Sequence, residues 1–111
     1  MDRLNEKDLE MVTGGSGIDV SKIEYGIKHL QKAAGMCTAE IPEIVKNYIT
    51  GLIEYLQGMG KDFRMETVRR VMSMANDELD AVIDAGAGVE LKELVYAIKG
   101  ELLSAYYELD F

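Results

Sequence analysis

The chain is poor in the residues that brace or anchor many small proteins: it has one cysteine, one proline, one histidine and no tryptophan. A single thiol, Cys37, cannot close an internal disulfide, and it leaves open whether the protein works in an oxidising compartment. Basic side chains are scarce as well, twelve Lys and Arg against twenty Asp and Glu, for a net charge of −8. Such a chain repels phosphate backbones and anionic headgroups, so no nucleic-acid partner is expected. Long apolar runs are missing: the longest, such as Leu94 to Ile98, are about five residues against the ~18 of a membrane-crossing helix. An integral membrane protein is therefore not expected. Residues 1–15 carry six charges and no apolar h-region, so a Sec-type signal peptide is not expected either.

What is present describes one helical domain. With 111 residues, 48% of them hydrophobic and 29% charged, the chain has enough apolar side chains for a modest core. It contains no internal repeat and no low-complexity tract. Four segments repeat apolar residues at helical spacing, and none alternates them at strand spacing.

The first segment begins at Val20-Ser21-Lys22-Ile23-Glu24-Tyr25, where Ser21 as N-cap, Glu24 three residues on, and Val20 with Tyr25 as flanking staple predict a helix start. Ile23, Ile27, Leu30 and Ala34 then share a face, and Gly35 is the expected stop. The second helix is expected from Pro42, with Ile41, Val45, Tyr48, Leu52, Leu56 and Met59 as its stripe and Gly58-Met59-Gly60 as its end. The third is expected to open around Asp62 and to run through Val68, Val71, Ala75, Leu79 and Val82 to Ala85-Gly86-Ala87-Gly88. The fourth carries Leu91, Leu94, Ile98, Leu102, Ala105 and Leu109.

Short connections between amphipathic helices predict an all-α, antiparallel four-helix bundle; a three-helix arrangement with a frayed first segment is the alternative. Gly26, Gly51 and Gly100 fall inside the helical patterns, each costing roughly 1 kcal/mol relative to alanine. Their simplest use is to let two helices approach closely.

Ahead of the bundle stands LNEKDLEMVTGG, Leu4 to Gly15, a short amphipathic helical pattern running into Gly14-Gly15-Ser16-Gly17, a glycine hinge. At 100° per residue Leu4, Leu9, Met11 and Val12 fall within an arc of roughly 160°. Gly14 adjoins Gly15, Val12 stands three residues before it, Leu9 six, Asp8 seven and Leu4 eleven. This register resembles the double-glycine leader of bacteriocin-type precursors, with Asn5 where a serine is usual after the first leucine.

The resemblance implies two units, a leader peptide over 1–15 and a helical-bundle cargo over 16–111. It also implies a partner: an ABC transporter with an N-terminal papain-like cysteine peptidase domain, which binds the leader, cuts between Gly15 and Ser16, and exports the cargo by a non-Sec route. Cleavage and leader recognition then rest on Leu4, Asp8, Leu9, Val12, Gly14, Gly15 and Ser16. The apolar arc suits a peptidase groove, and two residues without side chains suit the narrow cleft that leads a scissile bond to a thiolate.

Other arrangements offer less chemistry. Gly14-Gly15-Ser16-Gly17 lacks the Gly-Lys-Ser/Thr of a phosphate loop. Asp77, Asp80 and Asp84 line one helix face, where a solvated acidic stripe is expected rather than a metal site. His29 and Cys37 stand roughly two turns apart with no orienting third group, so a surface histidine and a partly buried structural thiol are expected rather than a nucleophile pair. Of the adjacent Tyr106 and Tyr107, one is expected to be exposed, because neighbours on a helix point in different directions.

No catalytic constellation, metal or cofactor is therefore expected. The function that follows is a secreted, non-enzymatic, bacteriocin-like protein that binds an unknown protein partner or target cell. The alternative is an intracellular immunity-type or other protein-binding bundle with an uncleaved N-terminal helix. A precursor of a small modified peptide would need a short core rich in Cys, Ser and Thr, which residues 16–111 do not offer. Those residues carry sixteen acidic and ten basic side chains, and this charge favours a protein receptor over bare lipid.

Overall fold

The computed structural model describes residues 20–110, and these form an all-helical bundle with no strand among them. Four α-helices follow one another: α1 (Val20–Met36), α2 (Glu43–Met59), α3 (Met65–Asp84) and α4 (Val89–Leu109). Helix α1 packs on α2 and, most extensively, on α4; α3 packs on α2 and on α4. The four helices thus close a ring around one core, running from Ile23 to Leu109.

Each helix supplies that core from a single arc. Ile23, Leu30, Ala33 and Ala34 come from α1, with Ile27 half-buried beside them. The α2 stripe is Val45, Ile49, Leu52 and Leu56, preceded by Ile41. The spacing of four, three and four residues keeps it on one side of a 3.6-residue helix. Tyr48, expected in that stripe, is half-buried and Met59 is exposed. Ile49 takes the central place because a wholly apolar side chain loses nothing on burial, whereas a tyrosine hydroxyl needs a partner. In α3 and α4, Met72 and Val95 are buried in addition to the expected Val68, Ala75, Leu79, Ile98, Leu102, Ala105 and Leu109, while Val71, Val82, Leu91 and Leu94 are half-buried.

The helix starts depart from expectation. Helix α1 is already under way at Val20, so Ser21 lies within its first turn, and Val20 and Tyr25 are both exposed rather than stapled together. The buried face of Ile23, Gly26, Leu30 and Ala33 explains this, since at 100° per residue Tyr25 points away from it. Pro42 is the N-cap of α2, at φ −53° and ψ 134°, and not a residue of its first turn. Its carbonyl accepts the Val45 N–H at 3.0 Å.

Asp62 does not open α3. Gly60, at φ +54°, turns the backbone out of α2 through a conformation that side-chain-bearing residues avoid, and a 3₁₀ turn over Gly60–Asp62 follows. Phe63 is extended and half-buried against the core, and α3 begins at Met65. No side chain caps α3. The Arg64 N–H instead donates to the Tyr55 hydroxyl at 2.8 Å, tying this connection back onto α2. At the other end Gly86, at φ +95°, makes the reversal into α4.

Of the three helix-interior glycines, Gly26 alone stands at a close approach. A Cβ there would lie 2.8 Å from Cγ of Leu109, whereas Gly51 and Gly100 have nothing within 4 Å of theirs. Close helix packing therefore accounts for Gly26 and leaves the other two unexplained.

Candidate functional site

The residues expected to carry leader recognition and cleavage, Leu4, Asp8, Leu9, Val12, Gly14, Gly15 and Ser16, lie outside the described residues. Three other places remain: an ionic cluster across α1 and α4, the thiol at the end of α1, and a groove between α3 and α4.

In the cluster, His29 and Lys32 occupy adjacent turns of α1 and both face Glu101 of α4. His29 Nδ1 is 2.8 Å from Glu101 Oε1, and Lys32 Nζ is 3.3 Å from Glu101 Oε2. The hydrogen bond from His29 holds the Glu101 carboxyl below its ordinary pKa, against a smaller upward push from burial, and Lys32 adds to the lowering. The histidine is thus a half-exposed partner in a network rather than an isolated surface residue. Sequence spacing could not reveal the pair, because 72 positions separate its members.

Cys37 does not join His29. Its thiol is half-buried and donates to the Ala33 carbonyl at 3.5 Å, one turn back along the chain. Burial raises its pKa, with the Lys46 charge opposing, so the thiol form is favoured over the nucleophilic thiolate. On α3, Asp77, Asp80 and Asp84 are all exposed, and Asp80 pairs with Lys99 of α4. Among the described residues no three His, Cys, Asp or Glu side chains converge as metal ligands would, and no helix is long and apolar enough to cross a membrane.

The groove between α3 and α4 is concave, mostly apolar and large enough to hold a ligand. It encloses about 610 Å³ and is bounded by Arg69, Met72 and Asn76 of α3 and by Gly100, Leu103 and Tyr106 of α4. This volume falls within the roughly 300–1,000 Å³ common for ligand sites. Met72 forms its buried floor, while Leu103, 51% exposed, stands at its rim. Tyr106 is half-buried and meets Tyr107 edge-on, ring centres 6.0 Å apart, and Tyr107 is the exposed member of the pair at 66%.

Two features of the groove have no use within the bundle. The Asn76 side-chain oxygen is buried with no hydrogen-bond partner, a condition that costs about 1–3 kcal/mol. Gly100 omits a side chain where nothing in the fold would obstruct one. Sequence reasoning singles out Gly100 and the tyrosine pair but misses Arg69, Asn76 and Leu103. A signal exists for Leu103, since Leu102-Leu103, like Tyr106-Tyr107, are neighbours that cannot share one buried stripe. No protein-family model matches the chain, and no curated protein and no solved structure matches it.

Proposed function

We propose that the protein is the precursor of a secreted, non-enzymatic helical protein. Residues 1–15 serve as a double-glycine leader for a peptidase-containing ABC transporter. Cleavage after Gly15 releases residues 16–111, which act by binding a protein partner or a target cell. The observation that carries this reading is the register of Leu4, Asp8, Leu9, Val12 and Gly14 counted back from Gly15. Gly-Gly alone would describe any linker; four further positions in step with it, Leu4, Asp8, Leu9 and Val12, describe a recognition segment.

The cargo reading is supported by a core that runs unbroken from Ile23 to Leu109. We take the cargo to be an antiparallel four-helix bundle. Gly26 near the start of α1 against Leu109 at the end of α4, with His29 and Lys32 against the earlier Glu101, supports opposed directions for these two helices.

The test is digestion by a double-glycine peptidase domain followed by mass spectrometry. A product beginning at Ser16 is expected, and Gly15→Val should abolish it while leaving the helical circular dichroism unchanged. Cutting elsewhere, or equal cutting of the variant, would remove the leader and favour an uncleaved, intracellular protein-binding bundle.

A further inference from the structure

Helix α4 is apolar on two sides. Val95, Ile98, Leu102, Ala105 and Leu109 face the core. On the far side Val89, Tyr96, Gly100, Leu103 and Tyr107 fall within an arc of roughly 60° at 100° per residue. Val89 is 74% exposed there, Tyr96 58%, Leu103 51% and Tyr107 66%. Val89, Tyr96 and Leu103 recur every seven residues, and Gly100 and Tyr107 follow the last two by four. That is the spacing of a seam between two helices packed side by side. We propose that this ridge is a self-association surface, on which α4 of a second copy packs in parallel about a two-fold axis.

The charges beside the ridge select a second copy. Lys92 and Glu93 are exposed, with no ion-pair partner among the described residues, and they stand about 50° to either side of the ridge. Lys99, on the Lys92 side, pairs with Asp80 of α3, whereas Glu101, on the Glu93 side, pairs with His29 and Lys32 of α1. The basic flank is thus turned toward α3 and the acidic flank toward α1. Two such helices facing each other in parallel bring opposite flanks together, so Lys92 of each copy meets Glu93 of the other. An antiparallel pair would bring like flanks together. The face is its own complement in one orientation, which is the condition for a two-fold interface.

The dimensions set the strength. From Val89 to Tyr107 the ridge is about 27 Å long and one helix wide, and the groove adjoins it on the α3 side, with Gly100 and Leu103 common to both. A strip of this size belongs to the small end of specific interfaces, so the dimer is reversible rather than permanent. Two exposed tyrosines and a leucine supply its apolar contact, and tyrosine is a residue that interfaces favour.

Sedimentation equilibrium of the full chain, at loadings up to about 1 mM, tests this. The average mass should rise from monomer toward dimer with concentration. Leu103→Glu and Tyr107→Glu, at exposed positions, should each hold the chain monomeric with an unchanged helical circular dichroism spectrum. Lys92→Glu alone and Glu93→Lys alone should each weaken association, by roughly two- to thirtyfold in Kd for two exposed ion pairs. Mixing those two variants should restore it, because every 92–93 contact between unlike chains again joins opposite charges. A monomer at every concentration overturns the proposal and leaves the ridge to another partner. Association that survives both Leu103→Glu and Tyr107→Glu overturns it by placing the contact elsewhere. A mixture of the Lys92 and Glu93 variants that associates no better than either alone overturns the parallel two-fold arrangement. None of these outcomes involves the peptidase, so they stand apart from the cleavage test.

Discussion

Gly26 and Leu109 meet where α1 and α4 pack together, so closely that one added methyl on Gly26 would stand 2.8 Å from Leu109 Cγ and 2.9 Å from Cδ2. Leu109 is itself buried and cannot retreat without disturbing the core. The absence of a side chain at Gly26 is therefore part of the packing between the first and last helices.

The three helix-interior glycines should consequently respond with opposite signs to one substitution. Alanine raises helix propensity by about 1 kcal/mol at each. At Gly26 the overpacking cost of about 1–3 kcal/mol outweighs that gain, so Gly26→Ala lowers stability by up to about 2 kcal/mol. Gly51→Ala and Gly100→Ala, in open space, each raise it by up to about 1 kcal/mol. Urea unfolding followed by circular dichroism separates the signs. A stabilising Gly26→Ala would mean that Leu109 moves aside at little cost.

The Glu101 network sets a pH dependence. Its carboxyl has a lowered pKa in the fold relative to the ordinary 4.5, so the unfolded chain takes up that proton first as pH falls. The stabilisation is complete above the ordinary value and is lost as pH drops through the lowered one. Glu101→Gln should cost up to about 1 kcal/mol near neutrality, because His29 and Lys32 are solvent-exposed partners, and its deficit against the unsubstituted protein should shrink as pH falls below 4.5. A deficit constant from about pH 7 to about pH 3 would assign it to packing rather than to charge.

The helices are legible in the sequence because a buried stripe must recur every three or four residues whatever it packs against. Pattern and structure part where a local signal meets a fact of three dimensions. Tyr48 and Ile49 are neighbours whose spacings both fit a stripe, and the helix's rotation that buries Ile49 and leaves Tyr48 at the margin is not written in either spacing. Helix α3 starts later than the pattern implies because Gly60 turns through a positive φ and a 3₁₀ turn follows, in which Asp62 resembles a helix start without being one. The site is less legible than the fold. Glu101 finds His29 across 72 residues, and the groove exists only because Asn76 of α3 and Gly100 of α4 lie on the same side of the bundle. Motif spacing reports on one element at a time and cannot see such pairs.

Stability also bears on the proposed export route, since passage through a transporter channel favours a cargo that opens readily. This bundle has no internal disulfide and carries glycines at Gly51 and Gly100 that its packing does not require. Combining Gly51→Ala with Gly100→Ala should add up to about 2 kcal/mol to unfolding if the two sites act independently. Where opening of the cargo limits export, the doubly substituted protein leaves the cell more slowly while its leader is cut at the ordinary rate. Gly51→Ala alone lies outside the groove, so it should slow secretion in proportion to its own share of the stabilisation. Unchanged secretion of a protein shown by urea titration to be stabilised would detach export from unfolding. A defect confined to Gly100→Ala would direct attention to the groove.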